Sequence, residues 1–263
     1  MVTSFTTSRG SVIHVDEAGT GRPALAIHGL GGGAYFFHGV AAHMRDRHRV
    51  IAVDLPGTGL STAADAFSLQ TWVADLGELV QAHIGEPVAI VGHSMGTIIA
   101  LEASCAWPSW IRGMAFVGGL PEVRPPVRER LTARAQTMRA SGIAGWGPKV
   151  SPGIFSPATF REKPEVIGLF ERLFETLDVA SYLRSLDILI GASATTHVPS
   201  VRVPCVAITG QDDQYAPPDT VAAFMTHMQA PHRIEVIPDA AHMPFFEKPV
   251  EFAELVGGFL DGV

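Results

Sequence analysis

Four short apolar runs separated by amphipathic stretches constrain this chain more than any other feature of it. They are ALAIHG (24–29), RVIAVDLPG (49–57), VAIVGHS (88–94) and IRGMAFVGG (111–119). The clearest stretch between them is LQTWVADLGELVQAHIG, where Leu69, Trp72, Val73, Leu76, Leu79, Val80 and Ile84 follow the spacing of one buried helical face. Short apolar strands alternating with such helices build βαβ units, and hence a mostly parallel sheet covered on both faces. A further extended run, SVIHVDEAG, precedes them at 11–19. From about Leu120 to Ser200 the text is rich in Pro, Arg and amphipathic helix and shows no strand. The alternation then resumes with VPCVAITG (203–210), a helix through DTVAAFMTHM, the strand HRIEVIPD and a last helix, PVEFAELVGGFL. Residues 1–119 and 201–263 therefore read as one α/β core, and 120–200 as a helical lid inserted into a continuing sheet.

Composition excludes several classes. Hydrophobic residues make up 47% and charged ones 17%, too apolar for a disordered chain. A net charge of −7 provides no basic footprint for nucleic acid. No apolar run is long enough to span a bilayer, and MVTSFTTSRGSV has neither the basic nor the apolar region of a leader, so the expectation is a cytoplasmic protein without membrane partners. Cys105 and Cys205 have no metal-like spacing and read as small buried residues, so no metal is expected. A homo-oligomer is compatible with the sequence and not required by it.

Chemistry enters at Gly92-His93-Ser94-Met95-Gly96, where a strand turns directly into a helix. A serine on such a turn is held up at the C-terminal edge of the sheet, and the tight backbone asks for glycine two residues to either side. The following helix aims its N-terminus at the same spot, which favours developing negative charge. A serine hydroxyl needs a base, and the base needs an orienting acid. Downstream, GQDDQYAPP places Asp212 and Asp213 after the penultimate strand, and DAAHMPFFEKP places His242 after the last one. Both loops open on the edge that carries Ser94. Asp213 is the preferred acid, with Asp212 as a loop-capping or solvated carboxylate. The glycine-rich AIHGLGGG supplies one amide and the residue after the serine another: the backbone N–H groups of Leu30 and Met95 are the candidates for an oxyanion hole. A phosphate cradle is the poorer reading, because no Gly-Lys-Ser/Thr ending follows. His28 and His93 are read as braces for these loops.

Taken together, HGLGGG, DLPGTGLS (54–61), GHSMG, GQDDQYAPP and AAHMPFFEKPVEF occur in the order that resembles the α/β-hydrolase fold superfamily over nearly the whole chain. The resemblance implies a mostly parallel eight-stranded sheet with the helical lid after the sixth strand. It places the nucleophile on Ser94, the acid on Asp213, the general base on His242 and the oxyanion amides on Leu30 and Met95. It implies no cofactor. A serine at position 94, where a carboxylate nucleophile would otherwise stand, argues against the haloalkane dehalogenase and epoxide hydrolase branches. The lid, through GIFSPATFREKPEVI (153–167) and DVASYLRSLDIL, is similar to the 3-oxoadipate enol-lactonase and small-esterase group. That likeness implies hydrolysis of a small ester or lactone by water, with an anionic substrate among the options.

For the substrate pocket, Trp146, Phe155, Phe160, Phe170, Phe174 and Tyr182 are candidate lid walls, and Tyr35, Phe36 and Phe37 follow the glycine-rich loop. Residues 121–200 carry ten Lys and Arg against eight Asp and Glu, while the remainder carries nine against eighteen. Five arginines face one glutamate between Arg124 and Arg139. That cluster reads either as a solvated helix face or as a source of attraction for an anion, with Arg124 and Arg128 as candidate contacts. A carbon–carbon bond hydrolase or cofactor-free perhydrolase would use the same triad. A ligand receptor on the same scaffold is the rival of a different class and predicts tight binding without turnover.

Overall fold

Each apolar run becomes a strand because its Val, Ile, Leu and Ala side chains are covered on both faces. In the computed structural model, which describes residues 1–263, the strands are β1 (Val2–Thr6), β2 (Val12–Ala18), β3 (Arg22–Ile27), β4 (His48–Val53), β5 (Val88–His93), β6 (Ile111–Val117), β7 (Cys205–Gly210) and β8 (His232–Ile237). They form one sheet in the order β1-β2-β4-β3-β5-β6-β7-β8, antiparallel for β1–β2–β4 and parallel from β4 to β8. The sheet is thus the expected eight-stranded, mostly parallel one. β1 escapes a search for apolar runs because it is a short edge strand whose residues alternate between exposed and half-buried.

The helices are α1 (His38–Met44), α2 (Leu69–Glu78), α3 (Met95–Ala106), α4 (Pro125–Ser141), α5 (Gly147–Val150), α6 (Pro157–Glu162), α7 (Pro164–Phe174), α8 (Val179–Gly191), α9 (Pro218–Met225), α10 (Pro244–Glu247) and α11 (Pro249–Leu260). The pattern LQTWVADLGELVQAHIG reads as one helix, and the structure divides it. α2 starts at a capping box between Ser68 and Thr71, and residues 79–84 continue as a wider π-helical turn that ends on the left-handed Gly85. The apolar face survives the change, with Trp72, Leu76, Leu79 and Val80 fully covered.

Strand order reverses beside β3, since β4 lies on one side of it and β5 on the other. The loops after β3 and β5 therefore part at a topological switch point, where open α/β sheets bind ligands. The loops after β7 and β8 open on the same edge. Helices α4 to α8 occupy the chain between β6 and β7, and their two ends are pinned together by a bridge between Glu122 and Ser193 and by the Ala194 N–H donating to the Pro121 carbonyl.

A second tie joins these helices to the core. Glu247, 1% exposed, accepts hydrogen bonds from the Ser156 amide (2.8 Å) and the Thr159 hydroxyl (2.8 Å) on one side, and from the amides of Ala241 (2.8 Å) and Met243 (3.1 Å) on the other. Removing the carboxylate would strand three buried amides and leave the Thr159 hydroxyl only Ser156 Oγ, 3.0 Å away. Glu247→Ala should lower the unfolding free energy by about 3 kcal/mol or more in urea titrations, and Glu247→Gln, which keeps one acceptor, by less. An alanine variant within about 1 kcal/mol of wild type would show that the tie is dispensable.

Candidate active site

Ser94 stands between β5 and α3 with φ 52° and ψ −112°, a left-handed backbone that a residue with a Cβ adopts only under constraint. The constraint is visible: its N–H donates to the Val117 carbonyl (2.8 Å) and its carbonyl accepts from Thr97 (2.9 Å). The flanking glycines are forced by contact. A Cβ on Gly92 would lie 2.4 Å from the Gly96 carbonyl oxygen, and one on Gly96 would lie 2.4 Å from that of Ile27.

The structure brings Ser94, His242 and Asp213 together. The Ser94 Oγ lies 3.1 Å from His242 Nε2, and His242 Nδ1 lies 2.9 Å and 3.1 Å from the two oxygens of Asp213. Asp213 is 3% exposed and His242 5% exposed. Asp213 Oδ1 also accepts the amides of Tyr215 (2.8 Å) and Ala216 (2.9 Å), so the carboxylate is fixed by its own loop. Only lone pairs face His242 there, which puts the imidazole hydrogen on Nδ1 and leaves Nε2 to accept from the serine hydroxyl. Asp212, by contrast, is exposed. The backbone N–H of His242 donates to the Ile154 carbonyl (2.9 Å), so a residue of the inserted segment helps hold the imidazole loop.

The neighbouring histidines act on backbone. His93 donates from Nε2 to the His242 carbonyl (2.9 Å), and His28 joins the Gly29 carbonyl (2.7 Å) to the Leu55 amide (3.1 Å). Asp54 completes the support by accepting the amides of Ala34 (2.7 Å) and Leu60 (2.8 Å), which explains why DLPGTGL lies against the glycine-rich loop. Burial pushes the His93 imidazole well below its ordinary pKa, reinforced by the nearby His242, and burial also lowers that of His28. Both stay neutral at pH 7, so neither adds a competing cation beside His242.

Above Ser94 lies a cleft with about 750 Å³ of empty space, part of it open to solvent. Leu30 and Met95 line it. The Leu30 amide makes no hydrogen bond within the chain, and Met95, as the first residue of α3, has an N–H outside the intrahelical ladder. Two donors are thus free beside the serine.

The expected pocket residues divide. Arg124, Phe170, Phe174 and Tyr182 line the cleft, whereas Tyr35, Phe36, Trp146 and Arg128 do not. Residues 34–37 form a 3-10 turn that swings Phe36 into the core, edge-on to His93 and against Phe245 and Phe246, with Phe37 beside Phe245. Tyr35 faces a separate surface groove next to Asp54, and burial together with that carboxylate raises its hydroxyl to about 12. Trp146 packs under Lys149 away from the cleft. Arg128 turns back to the Val123 carbonyl (3.2 Å). Phe155 is packed against Phe170, and Phe160 is exposed.

Arg134 and Tyr215 are among the cleft residues that escaped the sequence reading. Arg134 belongs to the arginine cluster, and its phase could have singled it out, since it lies three residues after Leu131 and seven after Val127, both buried. Tyr215 sits in GQDDQYAPP, and its ring lies over that of His242 with centroids 4.8 Å apart. Of the two cysteines expected to be buried, Cys205 is, whereas Cys105 is exposed near the C-terminal end of α3; no three His, Cys, Asp or Glu side chains converge as a metal cluster, and no helix is long and apolar enough to cross a membrane.

Comparison with known proteins agrees with this layout. The sequence profile described as the alpha/beta hydrolase family matches residues 24–255. Over 258 residues, 96% of the chain, it is 27% identical to the polyketide synthase ThaQ of Burkholderia thailandensis, of whose length it spans 12%. Two solved structures superpose with a TM-score of 0.90. One is a malate-bound esterase from Thermogutta terrifontis, at 22% identity over 100% of this chain and 98% of that one. The other is the enol-lactonase of Burkholderia xenovorans LB400, at 20% identity over 98% and 100%.

The buried histidines carry a pH signature. Their folded pKa lies below the ordinary 6.5, so above that value both folded and unfolded forms are neutral and neither residue affects stability. As pH falls through it, the unfolded chain takes up protons that the folded chain refuses. Unfolding free energy should therefore drop as pH falls below 6.5, and for His93, held well below its ordinary range, the slope approaches roughly 1.4 kcal/mol per pH unit. Urea titrations on wild type and His93→Gln would check this, with a shallower slope expected in the variant. Equal slopes would mean that His93 titrates normally in the fold.

Proposed function

The chain belongs to the alpha/beta hydrolase family, and from that premise we propose that it is a serine hydrolase cleaving a small carboxylic ester or lactone through an acyl-enzyme. The observation that carries the reading is the unbroken line from Asp213 through His242 to Ser94 beneath a cleft with two free amides. Ser94 Oγ attacks the substrate carbonyl while His242 Nε2 takes its proton. The carbonyl oxygen becomes an oxyanion and accepts hydrogen bonds from the amides of Leu30 and Met95. The imidazolium that forms is stabilised by Asp213 and returns its proton to the departing alkoxide as the carbon–oxygen bond breaks. A water then repeats the sequence on the acyl-serine, with His242 as base, and releases the acid. Residues 120–200 serve as the cap that narrows the cleft and selects the acyl group, and the ties through Ile154 and Glu247 keep it in step with His242. The B. xenovorans enol-lactonase and the T. terrifontis esterase, which share this fold, are consistent with ester or lactone chemistry.

Intact mass spectrometry after exposure to a small fluorophosphonate checks the reading. Wild type should gain a single adduct and Ser94→Ala none. The same variant should lose at least about 10⁴-fold in kcat/KM toward short aryl esters. A folded wild type that stays unlabelled, or a variant that turns over normally, would refute the assignment.

A further inference from the structure

The guanidinium of Arg134 lines the cleft without a carboxylate partner. Its terminal nitrogens donate to the hydroxyls of Tyr182 and Tyr215, each at 3.2 Å, and these two bonds are all it makes. Both phenols line the cleft as well. A guanidinium keeps its charge in any protein environment, and placing it in a largely apolar cleft without a counter-charge is costly. Two neutral hydroxyls orient it without neutralising it, and burial raises the Tyr182 hydroxyl further from ionisation. The other charged groups at the cleft do not change this. Arg124 stands where the chain leaves the core for α4, with only a 3.5 Å approach to the Gln214 carbonyl, and Glu122 is exposed. Arg130 touches only the face of the Tyr215 ring, with its guanidinium carbon 5.2 Å from the centroid.

Position makes the charge useful. Tyr215 connects the two ends of the cleft: its hydroxyl holds Arg134, its ring lies over His242, and its amide holds Asp213. A group bound to Arg134 therefore lies one tyrosine side chain away from the imidazole that serves Ser94. The remaining donors of the guanidinium form a planar fork suited to the two oxygens of a carboxylate.

We propose that Arg134, oriented by Tyr182 and Tyr215, receives a carboxylate carried by the substrate at a distance from the scissile carbonyl, so that acid-bearing esters or lactones are selected over neutral ones. The placement of the scissile carbonyl rests on the serine-hydrolase reading, whereas the anion site does not, and the two are tested separately. The probes are monomethyl esters of straight-chain diacids of increasing length, each paired with the uncharged analogue in which a primary amide replaces the free acid. Binding is measured by calorimetry on Ser94→Ala, which holds the probes without consuming them, and on the same protein with Arg134→Gln or Arg134→Lys added.

At the best-fitting length the acid should bind about ten- to a hundredfold more tightly than its amide. Arg134→Gln should bring that ratio close to one while leaving amide binding within about threefold. Arg134→Lys, which keeps the charge but not the fork, should fall between, and it carries the test if the glutamine variant does not fold. No acid preference at any length, or a preference untouched by either substitution, would overturn the proposal. Fluorophosphonate labelling of wild type reads the other premise. A labelled protein without acid preference sinks the anion site alone, and acid preference without labelling sinks the serine mechanism while the anion site stands.

Discussion

The left-handed backbone at Ser94 is the constraint on which the rest of the site depends. A serine in an ordinary helical or extended conformation at that point would lay its hydroxyl along the sheet. With φ at 52°, the side chain instead rises from the edge, and the chain still enters α3 at once. The conformation persists because the β6 backbone and the first turn of α3 hold both sides of the residue, and because Gly92 and Gly96 let three backbone segments touch where no Cβ would fit. Such a backbone costs on the order of 1–3 kcal/mol, which the surrounding sheet offsets through burial. Everything else at the site is placed relative to that hydroxyl.

The other side chains arrive on loops, and their supports differ. Asp213 is fixed by the amides of Tyr215 and Ala216. His242 is held through its backbone by Ile154 on one side and His93 on the other, while Glu247 fastens the amides on either side of it. Since Glu247 binds the inserted segment and Ile154 belongs to it, the imidazole and the inserted helices share supports. A displacement of the segment near residues 154–159 would therefore be felt at the His242 loop.

Much of this was legible in the sequence, for reasons that can be named. Strands buried on both faces leave apolar runs, so β3 to β7 could be read, β2 and β8 showed through the alternation of apolar and polar residues, and tight turns leave glycines, so the Ser94 turn could be read too. β1 could not, because an edge strand of alternating exposure has no such run. The division of one amphipathic stretch into α2 and a π-helical turn was hidden because both keep the same face buried. Pocket residues were the weakest part. Proximity in sequence to the glycine-rich loop suggested Tyr35 and Phe36, but a 3-10 turn rotates Phe36 into the core and points Tyr35 to another groove. Arg134 was concealed among five arginines whose charges look alike and whose helical phase alone separates them.

The most direct test of the account is to catch the covalent intermediate. Turnover of a p-nitrophenyl ester of a short acid would be stopped with acid in the steady state, and the digested protein mapped by mass spectrometry. The acyl group should sit on the peptide containing Ser94, and on no other, with an initial burst of p-nitrophenol matching the labelled fraction. Turnover without a burst and with no acyl group on Ser94, or with the acyl group on another residue, would contradict the mechanism at its centre.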